Sequence, residues 1–62
     1  MQGNNSHAAN VAQILKSLDD EGLYAETYLV EDGTEIIVWR TEEEYDEDID
    51  GSAAIRRFTI PE

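Results

Sequence analysis

The chain has 62 residues, of which 15 are Asp or Glu and four are Lys or Arg, giving a formal net charge of −11 at pH 7. This charge disfavours nucleic acid and anionic membranes as partners, because both would repel the chain. The absence of Cys excludes disulfide bonds and thiolate sites. A chain this short forms a single domain, here residues 1–62, which buries only about 60% of its unfolded surface.

The N-terminal residues are polar and are not followed by a long apolar run. A signal peptide or a membrane-spanning helix would need such a run, so we expect neither and place the chain in the cytoplasm. The sequence contains no nucleophile motif, no glycine-rich phosphate loop and no cofactor motif. We therefore predict that the chain is not an enzyme and binds no cofactor. The one histidine, His7, is expected at the surface.

Residues 6–20 are predicted to form a helix with Ser6 or Asn5 as its N-cap. Apolar residues recur there with the 3.6-residue period of a helix that packs along one face. This stripe consists of Ala8, Val11, Ala12, Leu15 and Leu18, with Ile14 at its edge. Gly22 is predicted to end the helix at the C′ position, where a positive φ is common.

Residues 23–31 and 34–40 are predicted to be strands, because they flank Asp32-Gly33, a dipeptide typical of two-residue hairpin turns. A turn centred on this dipeptide pairs Glu31 with Thr34 and brings Trp39 opposite Glu26. Since side chains alternate between the two faces of a strand, one face is predicted to pack on the helix. That face contains Leu23, Ala25, Thr27, Leu29, Ile36 and Val38, and the other contains Tyr24, Glu26, Tyr28, Val30, Glu35, Ile37 and Trp39.

Residues 54–60 resume an alternating pattern, with Phe58 and Ile60 on one face, and Pro61 ends it. A hairpin of two strands would be only marginally stable alone, which favours a third strand. The predicted fold class is therefore α+β. One N-terminal helix packs on a three-stranded antiparallel β-meander, in the order α-β-β-β.

Residues 41–52 form an acidic connection that is the strongest functional signal in the chain. Seven carboxylates fall within nine positions: Glu42, Glu43, Glu44, Asp46, Glu47, Asp48 and Asp50. Burying one unpaired charge costs several kcal/mol, so the segment should stay in water until a positive partner arrives. Because carboxylates at phosphate-like spacing can occupy a groove built for nucleic acid, we predict that these residues bind a basic protein surface. The alternative is a solvated loop without a target.

An aromatic and acidic sheet face, formed by Tyr24, Tyr28 and Trp39 with Glu26, is predicted beside this segment. Tyr and Trp often anchor protein interfaces, so we expect Trp39 to be partly exposed and to contact the partner together with Glu26. Two alternatives remain open for this face. The acidic connection or the N-terminal arm covers it, or it forms a homodimer contact, and we expect a monomer or a weak dimer.

The segment 46–51 matches the opening D-x-D-x-D-G of a calcium-binding loop, with Asp46, Asp48 and Asp50 as the candidate ligands. The match ends at the twelfth position, where Arg57 replaces the bidentate Glu. A calcium site is therefore an alternative, and no metal is the expectation.

A short, Cys-free, strongly acidic α-β-β-β domain without a catalytic motif resembles the small phage-encoded anti-CRISPR proteins. It is similar in particular to the type I inhibitors that act as DNA mimics on the Cascade complex. The resemblance covers the whole chain in length, charge and layout, but it assigns no role to any single residue. It implies binding to a Cascade subunit, in the host cytoplasm, at the surface that receives target DNA.

The composition also resembles that of haloarchaeal proteins, in which acidic residues serve hydration at high salt and bind no partner. A domain of that kind would be unfolded or molten at low salt, whereas a DNA mimic must fold in ordinary cytoplasm.

Overall fold

A computed structural model describes residues 3–62 of the chain. The elements in chain order are α1 (Gly3–Asp20), β1 (Tyr24–Val30), β2 (Gly33–Trp39), α2 (Glu42–Glu47) and β3 (Arg56–Pro61). The strands form one antiparallel sheet in the order β1-β2-β3. The α+β class, with a helix followed by a three-stranded meander, is therefore confirmed, and α2 is an addition to it. None of the described helices is long and apolar enough to cross a membrane.

The two ends of α1 differ in how well the sequence predicted them. The helix begins at Gly3, so Asn5 and Ser6 lie inside it and the predicted N-cap is wrong. At the other end Gly22 has a φ of 80°, as the prediction of a C′ glycine requires. The N–H groups of Gly22 and Leu23 donate to carbonyls three and five residues earlier, at 2.9 and 3.0 Å. This double hydrogen bond is a Schellman motif, which turns the chain from α1 into β1.

The face of α1 that packs on the sheet is rotated from the predicted stripe. Among residues 7–20, the partly or fully buried residues of α1 are His7, Val11, Ile14, Leu15 and Leu18, whereas Ala8 and Ala12 are exposed. His7, predicted at the surface, is half-buried, and its Nε2 lies 3.1 Å from Oγ1 of Thr34 on β2. The spacing explains the correction, because residues 7, 11, 14 and 18 share one side of a helix.

The main core lies between α1 and one face of the sheet. Leu18, Ile36 and Val38 are its buried residues, and the half-buried residues around them are Ile14, Leu15, Leu23, Ala25, Phe58 and Ile60. Two of the three buried residues lie on β2 because a central strand is flanked on both sides. The face predicted to pack on the helix is confirmed for four of its six residues, Leu23, Ala25, Ile36 and Val38. Its other two residues, Thr27 and Leu29, are exposed.

The β1–β2 hairpin has a different register from the predicted one. Val30 pairs with Gly33, so the two turn residues are Glu31 and Asp32. Gly33 instead begins β2 with a φ of 155°, and the carbonyl of Ile60 on β3 occupies the space that a Cβ would need. The neighbouring strand therefore requires this glycine, and the turn does not.

The new register brings Tyr24 opposite Trp39, where Glu26 was predicted. The turn lies one residue earlier than predicted, so each residue of β2 pairs with a β1 residue two positions before the predicted partner. Because side chains alternate with a period of two, this shift leaves the composition of both faces unchanged. Both faces therefore contain the predicted residues, and which of these residues a partner could reach depends on the helices that pack on each face.

Candidate protein-interaction surface

The acidic connection contains a short helix, α2, where the sequence indicated only a loop. Thr41 is the N-cap, and its Oγ1 accepts a hydrogen bond from the N–H of Glu44 at 3.1 Å. The three Glu residues of the first turn interact favourably with the positive end of the helix dipole. The spacing of Thr41 and Glu44 is that of a capping box, which is the sequence signal that could have predicted α2.

Helix α2 presents five carboxylates from an ordered element. They belong to Glu42, Glu43, Glu44, Asp46 and Glu47, of which Glu44 is partly buried and the others are exposed. All five were predicted as partner contacts. The helix gives them fixed backbone positions, which a solvated loop would not.

Trp39 lies under α2, and the predicted exposure of its side chain is wrong, since only 4% of it remains accessible. It occupies the face away from α1, as predicted, but Tyr45 of α2 packs edge-on against it with ring centroids 4.8 Å apart. Tyr24 completes the group at 4.9 Å from Tyr45 and 6.3 Å from Trp39. This aromatic cluster (Tyr24, Trp39 and Tyr45) is a second small core that holds α2 on the sheet.

Asp48, a predicted partner contact, has its carboxylate turned into the protein. Its Oδ2 accepts hydrogen bonds from the indole Nε1 of Trp39 at 2.7 Å and from the N–H of Ala53 at 3.2 Å. Its Oδ1 accepts from the N–H of Gly51 at 2.8 Å. Asp48 therefore ties the aromatic cluster to the turn that leads into β3.

The D-x-D-x-D-G segment is organised as this turn. Asp50 accepts a hydrogen bond from the N–H of Ser52 at 3.0 Å, and hydrogen bonding to Ser52 lowers the pKa of Asp50. Gly51 supplies the positive φ, of 84°. Within residues 3–62, no group of three or more His, Cys, Asp or Glu side chains is arranged to hold a metal ion. Turn formation accounts for Asp48, Asp50 and Gly51, whereas calcium coordination would require Asp46 to converge with them.

Glu26 lies at the margin of the aromatic cluster and is half-buried. It accepts a hydrogen bond from the hydroxyl of Tyr24. This hydrogen bond is the main cause that raises the pKa of Tyr24 above its ordinary range, and the charge of Glu26 is the main cause that raises the pKa of Tyr45. Glu26 therefore contacts the aromatic cluster directly, and its charge disfavours ionisation of both phenols.

Stability is expected to fall as the pH rises above about 10, the ordinary pKa of tyrosine. The folded state binds the Tyr24 proton more tightly than the unfolded state does, so deprotonation above that pH favours unfolding. Tyr24→Phe should make this fall less steep, as measured by urea denaturation at about pH 8 and about pH 11. Tyr28→Phe, on the same strand, is the comparison variant and should keep a steeper fall than Tyr24→Phe, because Tyr28 is only a lesser cause of the raised pKa of Tyr45. If Tyr24→Phe lost as much stability between these two pH values as the wild type does, the raised pKa of Tyr24 would not be the cause of the loss.

The carboxylates form two groups at opposite ends of the sheet. The first consists of Asp19, Asp20 and Glu21 at the end of α1 together with the acidic residues of α2. The second consists of Glu31, Asp32 and Glu62, where the N–H of Glu62 donates to the carbonyl of Asp32 at 2.9 Å. Strands of seven residues separate the two groups by about 23 Å, and Glu26 and Glu35 lie between them on the face away from α1.

No protein family, curated protein or solved structure matches the chain.

Proposed function

We propose that the chain is a non-catalytic inhibitor that occupies a basic, nucleic-acid-binding protein surface as a DNA mimic. The observation that carries this proposal is α2, which holds five carboxylates on a folded element fixed by the aromatic cluster. The backbone of a flexible acidic loop would have to be ordered on binding, at a cost of about 1–2 kcal/mol for each residue that is fixed. In α2 the backbone part of that ordering takes place when the chain folds.

The extent of the acidic surface is compatible with a nucleic-acid footprint. One strand of B-DNA carries a phosphate about every 3.4 Å along the axis, so the two acidic groups span roughly seven base pairs. The principal axes of the chain measure 41, 26 and 14 Å. A narrow body of this kind suits a groove built for a duplex.

The first target to test is a Cascade subunit of a type I CRISPR system, at the surface that receives target DNA. This choice follows from the resemblance to anti-CRISPR proteins in length, charge and α-β-β-β layout. The inhibitor would act in the cytoplasm of the host cell, where such complexes bind DNA. Nucleic acid and membranes are not proposed as partners, because both carry the same sign of charge as the chain.

Among the residues predicted as partner contacts, the assignment is kept for those whose carboxylates reach solvent. They are Glu42, Glu43, Glu44, Asp46 and Glu47 of α2, together with Asp50 and Glu26. Trp39 and Asp48 act indirectly, because they hold α2 and the following turn in place. The binding is expected to weaken at high salt, since the carboxylates are exposed and screened.

Neutralising part of α2 tests this assignment. The triple variant Glu43→Gln, Asp46→Asn and Glu47→Gln removes three charges. It keeps the N-cap Thr41 and the first-turn carboxylates of Glu42 and Glu44. Inhibition of duplex DNA binding by Cascade, followed by fluorescence anisotropy, is expected to weaken at least about tenfold because close charge pairs contribute strongly to such interfaces.

The comparison variant removes three charges from the far end of the proposed footprint, by Glu31→Gln, Asp32→Asn and Glu62→Gln, and should lose less inhibition than the α2 variant does. Circular dichroism in about 0.1 M salt, where the Debye length is about 10 Å, verifies that all proteins are folded. Undiminished inhibition by the α2 variant would contradict the proposal. A wild-type chain unfolded at this salt would favour the halophilic alternative.

A further inference from the structure

The outer edge of β1 has no strand beside it among the described residues, because β1 ends the sheet. The carbonyl of Val38 accepts a hydrogen bond from the N–H of Ile55, on the β3 side of β2, at 2.8 Å. The N–H and C=O groups of one residue in an antiparallel strand point to the same side, and successive residues alternate between the two sides. The backbone groups of Val38 therefore point away from β1, and those of Ala25, its pairing partner, point away from β2. Ala25, Thr27 and Leu29 therefore direct their N–H and C=O groups outward.

This edge lacks the protection that sheet edges usually carry. Charged residues and prolines discourage the addition of a further strand. The other edge strand, β3, begins with Arg56 and Arg57 and ends with Pro61. β1 contains one charged residue, Glu26, and no proline.

Exposed apolar side chains accompany the unprotected backbone. Leu29 is 92% exposed, and its neighbours Tyr28 and Val30 are also exposed. Leu29 lies on the sheet face that packs on α1, and its two neighbours lie on the opposite face. A strand added here would therefore find apolar contacts on both sides of the extended sheet.

The charges that flank β1 indicate which strand would bind. Asp19, Asp20 and Glu21 precede it, and Glu31 and Asp32 follow it. A second copy, paired antiparallel about Thr27, would bring the hairpin turn of each copy beside the acidic end of α1 in the other. Like charges placed opposite one another destabilise such a pair. A positively charged segment would meet complementary charge at both ends of the edge.

We propose that the β1 edge binds an extended segment of a partner protein by strand addition. The segment has about seven residues, which matches the length of β1, with apolar side chains at alternate positions and Lys or Arg at both ends. This surface is separate from α2 and does not require nucleic-acid mimicry. Main-chain hydrogen bonds supply affinity, and the flanking acids select a basic sequence.

A synthetic peptide in which Val and Thr alternate between paired Lys residues is the probe. It is expected to bind at least about tenfold more tightly than the same peptide with Asp in place of Lys. Hydrogen exchange should slow at the amides of Ala25, Thr27 and Leu29 on binding. The amides of Glu26 and Tyr28 should change little, because they already bond to β2.

Two variants locate the site. Thr27→Pro removes an outward N–H and should weaken peptide binding about tenfold, whereas Leu29→Ser changes only an exposed side chain and should weaken it by a smaller factor. Ile49→Ser, at a fully exposed position away from the edge, is the matched control for Leu29→Ser and should bind as the wild type does.

Equal affinity for both peptides, or unchanged exchange at the three outward amides, would overturn the proposal. So would a dimer in sedimentation whose β1 amides are protected without peptide, because a second copy would then occupy the edge. If the chain inhibits Cascade but fails these tests, the strand-addition proposal is wrong and the DNA-mimic proposal is unaffected.

Discussion

Trp39→Ala is expected to remove most of the stability of the folded chain. The side chain is 4% exposed, packs against Tyr45 and donates a hydrogen bond to Asp48. Truncating a buried Trp typically costs about 3–5 kcal/mol. A chain of this length is expected to have a total stability of only about 3–9 kcal/mol, so the variant should be largely unfolded or close to unfolding.

Urea denaturation followed by circular dichroism measures this loss, and Leu29→Ala is the matched control. Leu29 is 92% exposed, so its truncation should change stability by about 0.5 kcal/mol or less. The tryptophan emission of the free wild-type protein should already be blue-shifted, because the indole is shielded from water. A Trp39→Ala variant with the wild-type urea midpoint would show that the indole is not part of a core.

Gly33→Ala is expected to destabilise the chain by about 2–6 kcal/mol, from a clash and a backbone conformation that each cost about 1–3 kcal/mol. The new Cβ would collide with the carbonyl of Ile60 and would lie 2.9 Å from the N of Glu62 and 3.0 Å from Cα of Pro61. These are backbone atoms, so β2 and β3 would have to separate to relieve the contact.

Gly22→Ala is the matched control, because Gly22 also has a positive φ but nothing lies within 4 Å of the position that its new methyl group would take. Only the conformational cost remains there, about 1–2 kcal/mol. Hydrogen exchange should accelerate along β3 in Gly33→Ala but not in Gly22→Ala. Equal destabilisation of the two variants would contradict the close approach of β3.

The fold class and the two sheet faces could be predicted from the sequence because they depend on periodicity. The alternation along β1 and β2 survives the register error, since the pairing moves by an even number of positions. The register itself was wrong because Asp32-Gly33 is a strong local turn signal. Gly33 is needed instead because the carbonyl of Ile60 lies where a Cβ would be, and this contact joins residues far apart in sequence.

The candidate site was predicted only in part. Composition identifies the acidic residues, but it does not show that Asp48 is used inside the protein. Alternation gives the face on which Trp39 lies, but not what covers that face. The covering residue, Tyr45, stands among acids, and the charge of its neighbours obscured the capping box of Thr41 and Glu44.

Competition between the chain and duplex DNA for one surface of Cascade tests the DNA-mimic proposal most directly. The concentration of chain needed for half-maximal inhibition should rise linearly with the DNA concentration, because both ligands would bind the same cationic groups. The affinity should also fall when salt is raised from about 0.05 to about 0.2 M, as it does for ligands that replace phosphates. Inhibition that is independent of DNA concentration, or a stable complex containing Cascade, DNA and the chain together, would contradict mimicry.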